Sequence, residues 1–253
     1  TAIIQARVGS ARLPGKILLK LEGKTVLEHV VERVALGKMI DEIVVATTTK
    51  DVDQEVKNIC DRIKVKCYCG AENDVLDRYY QAAKLFNAKH IVRITADCPL
   101  IDPEIIDEVI KLHLKEKADY TTNNIKERYP DGLDVEVFNF ASLAKIWEKS
   151  NLTSQREHVT PYLRSHRDIF KIASLEAKQD FSEKRWTLDN LEDFELISCI
   201  YKSFYPKYGK KFGMRQILDF LKINPEIEKL NSHIERNSGY RKSLKEDKIL
   251  RKT

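Results

Sequence analysis

Apolar and polar positions follow two periods along the first half of the chain. Short apolar runs at 2–6 (A-I-I-Q-A), 42–48 (E-I-V-V-A-T-T) and 90–95 (H-I-V-R-I-T) read as strands buried on both faces, the pattern of a parallel sheet. Between them the apolar positions shift to helical spacing. Val26, Leu27, Val30, Val31 and Val34 form one stripe over 25–36. Val52, Val56, Ile59, Cys60 and Ile63 form the next, and 64–69 alternate like a short strand. Asp74 is placed to cap a helix running through Leu85, and Pro103 to open the helix after 90–95. This βαβαβ rhythm predicts a mainly parallel sheet with right-handed crossovers.

Beyond about residue 118 the rhythm changes. Segments 120–123 and 133–139 read as strands separated by a turn at Pro130-Asp131-Gly132. Helices are predicted near 140–149, 154–165, 190–204 and 214–222. There is no internal repeat and no low-complexity linker. The pattern therefore predicts one α/β domain with a mixed, insertion-bearing second half.

The chemistry concentrates where the first strand ends. Residues 5–16 read Q-A-R-V-G-S-A-R-L-P-G-K, a loop with two glycines, two arginines and a lysine. Small residues let backbone N–H groups approach an anion, and the cations add charge from several directions. A cationic loop at the carboxyl end of a first strand is where an α/β sheet binds a polyphosphate. It is not a Walker loop, because Gly9 and Gly15 are six apart and Ile17 follows Lys16; the dinucleotide pattern G-x-G-x-x-G is also missing. Arg12 and Lys16 are the leading phosphate contacts, with Arg7 and Ser10 assisting.

Composition narrows the class. Of 253 residues, 42% are hydrophobic and 33% charged, which predicts a globular protein with a charged surface. No apolar run approaches the ~20 residues of a membrane helix, and no secretory leader is expected. An initiator methionine is expected to precede Thr1. The five cysteines (60, 67, 69, 98 and 199) are odd in number and lack C-x-x-C spacing. That points to reduced thiols in the cytoplasm rather than a disulfide framework or a zinc site, with Cys60 and Cys199 in the core. The net charge of +5 comes mostly from 233–253, which hold seven Lys/Arg against three acids. The body is near neutral, which argues against nucleic acid as a partner, and the basic tail is expected to be a solvated, partly frayed end.

Several blocks together carry a family resemblance. The loop string, D-V-L-D-R-Y-Y at 74–80, R-I-T-A-D-C-P-L-I-D-P at 93–103, D-G-L-D-V-E at 131–136, R-E-H-V-T-P at 156–161 and W-T-L-D at 186–189 occur in order. In this the chain resembles sugar nucleotidyltransferases, most closely the cytidylyltransferases that activate acidic sugars such as KDO and sialic acid. Within that group it is most similar to the spore coat polysaccharide biosynthesis protein F (SpsF) family. The resemblance spans nearly the whole chain. It implies a Rossmann-like, three-layer, GT-A-like fold with a mainly parallel mixed sheet, over a domain at 1–232 followed by the tail at 233–253.

The resemblance also implies roles. The substrates would be CTP, or another nucleoside triphosphate, and a sugar or sugar phosphate, with Mg²⁺ as cofactor and a homodimer as the assembly. Arg12, Lys16 and Asp97 would carry the chemistry. Asp97, just past the strand at 90–95, occupies the place of the family's metal aspartate. Asp189 is the second metal candidate, although the family's Thr-Pro after it is Asn190-Leu191 here; read alone, Asp189 is also a plausible helix cap. The nucleotide would be held by Ala6, Arg7, Ser10 and Lys16, by the segment Ala46, Thr47 and Thr48, and by Asp77 and Arg78 on the opposite wall. The last pair also reads as simple helix capping. The acceptor side would comprise Asp131, Asp134, Glu136, Arg156 and His158.

Other readings stay open. The same fold hosts guanylyl- or uridylyltransferases acting on a sugar 1-phosphate. A glycosyltransferase normally shows D-x-D, whereas Asp97 is followed by Cys98-Pro99. A non-catalytic nucleotide-binding partner is disfavoured by the presence of Arg7, Arg12, Lys16 and Asp97.

Overall fold

The computed structural model describes residues 1–250. At its centre is a seven-stranded sheet built from β1 (Ala2–Gln5), β4 (Ile43–Thr48), β5 (Lys66–Gly70), β6 (His90–Thr95), β7 (Tyr120–Thr122), β8 (Glu136–Asn139) and β9 (Ile172–Ser174). A two-residue hairpin, β2 (Lys20–Leu21) and β3 (Lys24–Thr25), stands outside it. The order is β5-β4-β1-β6-β8-β7-β9, and only β8 runs against the rest. The predicted parallel, mixed sheet is therefore observed.

The order explains where a site forms. From β1 the chain steps outward to β4 and β5, then returns across β1 to place β6 on its other side. The connections at the carboxyl ends of β1 and β6 diverge, leaving a crevice between them, the general ligand position in open α/β sheets.

Helices cover both faces. On one lie α1 (Val26–Val34), α2 (Gln54–Ile63), α4 (Pro103–Glu116), α8 (Leu191–Tyr208) and α9 (Met214–Ile223), packed on Ala2, Ile4, Val45, Val92 and Ile94. On the other lie α3 (Val75–Leu85), α5 (Phe140–Lys149) and α7 (Pro161–Ser165), packed on Ile3, Val44, Ala46 and Ile91. Alternate residues of β1 thus feed two cores, which gives three layers. Two short helices, α6 (Thr153–His158) and α10 (Pro225–Glu228), and a last one, α11 (Ser238–Lys245), complete the chain.

Local chemistry fixes the element ends. Thr25 and Glu28 form a capping box at α1, with Thr25 N donating to Glu28 at 2.7 Å. Asp74 accepts from Asp77 N at 2.8 Å to start α3. Asp102 accepts from Glu104 N ahead of Pro103 in α4.

Four expectations are corrected. The single helix predicted at 154–165 is two, because Pro161 lacks an N–H and cannot continue α6. Between them Val159 takes φ 70°, a strained conformation for a β-branched residue. The strand predicted at 133–139 begins only at Glu136. Before it the Asn123 side chain stands in for a neighbouring strand, accepting from Val135 N and donating to Leu133 O. The tail predicted to fray is seated on the body as far as residue 250: Asp247 accepts from Thr153 and Ser154, and Leu250 N donates to Asn151 O at 2.7 Å. Cys60 is buried, whereas Cys199 is only half-buried.

Arg33 braces this framework. Its guanidinium is fully buried without a carboxylate, and it donates to the carbonyls of Leu100, Ile101, Lys210 and Phe212. It thereby ties the loop after β6 to the α8–α9 connection. Arg33→Leu should leave four carbonyls unpaired and cost about 3 kcal/mol or more. Urea unfolding with an unchanged midpoint would show that the carbonyls find other partners.

Candidate active site

Three chain segments meet at the crevice. The loop after β1 reverses at Gly15, which takes φ 71° and donates its N–H to Val8 O at 3.1 Å. That turn launches a short 3₁₀ segment, Lys16–Leu18, whose first residue points its ammonium inward. The loop after β6 delivers Asp97. The segment before α8 delivers Asp189. Lys16 Nζ lies 2.6 Å from Asp97 Oδ2 and 2.8 Å from Asp189 Oδ1.

Both aspartates are free for this because their neighbours do the capping. At α4 the cap is Asp102, as the sequence suggests. At α8 the N-cap position is Asn190, and the Asp193 carboxylate accepts from Asp189 N and Asn190 N. The capping alternative for Asp189 is thereby removed.

Cations crowd Asp189. Arg12 reaches it at 2.7 Å and Arg185 at 3.2 Å, in addition to Lys16. Burial opposes ionisation of Asp97, but the adjacent ammonium wins and holds its carboxyl at about 2. Burial likewise opposes the charge on Lys16, and the two carboxylates raise its pKa overall.

The crevice divides into two adjoining cavities of about 570 and 400 Å³. The larger is lined by Ala6, Arg7, Gly9, Ser10, Arg12 and Lys16, so the predicted phosphate loop faces it as a unit. Gly9 and Gly15 both face open space where a Cβ would stand. Arg78 forms another part of its wall. Only 1% exposed, it donates through Nη1 to Ala71 O and Glu72 O, while its Nε has no partner among the described residues.

The smaller cavity holds Asp131, Asp134, Glu136 and His158 of the predicted acceptor side. Glu136 is the hub of a buried cluster: Arg93 and Tyr120 donate to it, as do Thr160 at 2.6 Å and Arg164 at 2.8 Å. Burial opposes its charge, yet the two arginines hold it at about 2. Asp131 contacts Arg185 at 2.9 Å, and burial together with the Asp134 charge pushes it up to about 7. Asp134 pairs with Arg236 at 2.9 Å, and burial raises its pKa too. His158 sits between the cavities, bonded to Ser243 at 3.0 Å, with its pKa lowered by burial.

Gly132 permits this arrangement. At φ 102° it lets 131–133 lie against Trp186 and Thr187, where a Cβ would come within 2.6 Å of Thr187 N. Asp131 and the segment carrying Asp189 are thereby held side by side.

Some predicted residues lie elsewhere. Arg156 is turned away from both cavities; it grips Asp74 through Nε and Nη2 and donates to Trp147 O at 2.7 Å, locking α6 to the start of α3. Asp77 accepts from the Trp147 indole at 2.8 Å, outside the crevice. Ala46, Thr47 and Thr48 are buried behind the loop, and Ala6 N donates to Ala46 O. The Thr48 hydroxyl is taken by Asp53, whose other oxygen accepts from Val8 N at 2.6 Å.

Asp53 is therefore a loop-positioning residue that sequence reading missed. Gln5, Arg93, Arg164 and Arg185 are missed wall residues. Arg93 offered a signal, being a charge inside an otherwise apolar strand. Arg164 offered none, since its partners are distant in sequence, and Arg185, paired with the nearby Asp189 and Asp193 as well as with Asp131, lies outside the motif strings.

The described residues contain no cluster of three or more acidic, histidine or cysteine side chains able to cage a metal, and no helix long and apolar enough to cross a membrane. Comparison with known proteins places this geometry. The family model described as cytidylyltransferase matches residues 1–218. Spore coat polysaccharide biosynthesis protein SpsF of Bacillus subtilis is 34% identical over 233 residues, covering 88% of this chain and 94% of that protein. The structure of a cytidylyltransferase from Leptospira borgpetersenii superposes with a TM-score of 0.87 at 34% identity, covering 93% of this chain and 98% of that one. At the level of fold alone, CMP:2-keto-3-deoxy-manno-octonic acid synthetase, solved in complex with CTP, superposes with a TM-score of 0.61 at 19% identity over 80% of this chain and 98% of that one. With a whole-length relative, a closely superposing structure and a family model over most of its residues, this chain belongs to the cytidylyltransferase family of nucleotidyltransferases.

Proposed function

We propose that the protein transfers a cytidylyl group from CTP to an acidic sugar, releasing pyrophosphate and forming a CMP-sugar for surface polysaccharide synthesis. The observation that carries this reading is the convergence of Asp97 and Asp189 on Lys16 beside the cationic loop. A triphosphate laid along that loop meets Arg7, Arg12, Lys16 and backbone amides. The acceptor then occupies the smaller cavity, in reach of Arg93 and Arg164.

In the reaction an acceptor hydroxyl oxygen bonds to the α-phosphorus. The bond from that phosphorus to the bridging oxygen breaks, pyrophosphate leaves with the electron pair, and the hydroxyl loses its proton. Phosphoryl chemistry of this kind depends on positioning and charge stabilisation more than on a strong base.

Magnesium fits the donor set. Two carboxylates set close together are the hard oxygen ligands it takes, and it fills its remaining positions with water and phosphate oxygens, so no closed protein cage is needed. Asp97 and Asp189 would hold it once the Lys16 ammonium that bridges them turns to the phosphates, and it would supply charge neutralisation there. Arg12 and Arg185 keep the Asp189 carboxylate oriented.

Three measurements test this reading. Asp97→Asn preserves shape and removes the charge, so turnover should fall by about 10²–10³. A folded variant with full magnesium-dependent turnover removes Asp97 from the site. Lys16→Ala and Arg12→Ala should each weaken CTP binding by roughly tenfold or more while CMP binding changes far less, because the lost charges face the outer phosphates. Equal losses in calorimetric titrations of both ligands would place the phosphates elsewhere. Finally, CTP with magnesium should raise the thermal midpoint more than GTP, UTP or ATP at equal concentration, since stabilisation tracks affinity. A preference for GTP or UTP overturns the cytidylyl assignment in favour of transfer to a sugar 1-phosphate.

A further inference from the structure

The family model ends at residue 218, yet the crevice does not. The chain returns after α10 and lays 236–250 across its mouth. Asn237, Ser238, Gly239 and Tyr240 line the smaller cavity, and Lys242 and Ser243 line the larger. Four separate attachments hold this segment down. Arg236 donates to Tyr129 O and to Asp134, both at 2.9 Å. Ser238 accepts from Arg12 Nη1 at 2.8 Å. Ser243 meets His158, whose ring stands edge-on to Tyr240 with centroids 4.9 Å apart. Asp247 accepts from Thr153 and Ser154.

The segment is a wall rather than a loose end because Arg236 answers a local need. Its guanidinium lies 2.9 Å from Asp134 and 3.8 Å from Asp131, whose other cation is Arg185 at 2.9 Å. Removing the cation takes the ion pair from Asp134 and breaks the tie from the turn at 131–134 to the segment, which favours their separation.

The position of this wall sets its use. With the triphosphate on the loop side, the acceptor fills the cavity that Ser238 and Tyr240 bound. An aromatic ring and hydroxyls suit the faces and hydroxyl groups of a sugar. We infer that residues 236–247 form the acceptor wall of the active site, with Tyr240 and Ser238 in contact with the sugar and Arg236 as the positioning residue that latches the wall. This rests on the transferase reading above and extends it to a part of the chain outside the family model.

The test uses the full chain with two variants. Arg236→Ala should open the wall, and Tyr240→Ala should leave it in place but remove its ring. In hydrogen exchange read by mass spectrometry, wild-type amides over 240–245 should exchange at least about tenfold more slowly than in a free peptide. Arg236→Ala should remove most of that protection while Ala2–Gln5 and His90–Thr95 keep theirs. Free-peptide rates in the wild type, or unchanged protection in Arg236→Ala, overturn the latch. With CTP and whichever of 3-deoxy-manno-octulosonate or N-acetylneuraminate supports pyrophosphate release, Tyr240→Ala should raise the KM for the sugar by roughly tenfold and leave the KM for CTP nearly unchanged. An unmoved sugar KM, or equal rises for both substrates, overturns the acceptor contact. A wild-type protein that neither binds CTP nor turns it over defeats the transferase reading and, with it, the acceptor contact, while the exchange measurement still decides the latch.

Discussion

The bridge from Lys16 to Asp97 and Asp189 is the interaction on which the site depends. It joins three parts of the chain that share no local structure: the loop after the first strand, the loop after the central partner strand, and the segment leading into the long helix of the second half. Each arrives there for a separate reason. Gly15 turns the first loop, Asp102 leaves Asp97 free by capping in its place, and the Asp193 carboxylate secures the backbone at Asp189. A lysine alone between two half-buried carboxylates carries less charge than they do, and Arg12 and Arg185 add positive charge at Asp189. The result is a preorganised cluster in which charged groups are fixed before any phosphate arrives, the condition under which electrostatic stabilisation is most effective.

The sheet order explains why such a cluster sits there and not elsewhere. Between the parallel neighbours β1 and β6 the outgoing connections leave in opposite directions. The one reversed strand, β8, then places Glu136 beside Arg93 in the pairing register, so the proposed acceptor half grows from the strand next to β6, beside the proposed nucleotide half. The strained Val159 at the break between two short helices puts Thr160 against Glu136. Strain at that point is tolerated because the surrounding hydrogen bonds over-determine it.

How much of this was legible in the sequence follows from the range of the interactions involved. The four strands of the first half and their helices were readable because apolar period and capping residues act within a few positions, as at Asp74 and Pro103. The phosphate loop was readable because its cations and glycines are contiguous. The family resemblance supplied Asp97 and Asp189, whose strings are short and local. The second half resisted, because its order comes from long-range pairs. Asn123 replaces a strand partner for Leu133 and Val135, Arg185 gathers three aspartates, and Arg236 reaches back to Asp134. Arg156 and Asp77 illustrate the converse: both sit in motif strings, yet their side chains are spent on Asp74 and Trp147, holding helices together. A motif can recur because of packing as readily as because of chemistry.

The distribution of charge along the crevice gives the two halves different characters. On the loop side, Asp189 is shared among Lys16, Arg12 and Arg185, while Asp97 pairs with Lys16 alone. At the far end, Arg93 and Arg164 share the single carboxylate of Glu136, which stays ionised. These two guanidiniums, with Asp134 nearby, are the groups that would meet an anionic group on the proposed acceptor. Between them, Asp131 is lifted to about 7 by burial and the neighbouring Asp134. Its ionisation therefore answers to whatever cation or anion stands nearby, and the fold supplies two cations, Arg185 at 2.9 Å and Arg236 at 3.8 Å. Burying so many ions costs desolvation that an apolar core would avoid. What the arrangement gains is side chains held in one geometry by mutual hydrogen bonds, so that the space left over, and not only the groups that line it, is defined before substrate enters.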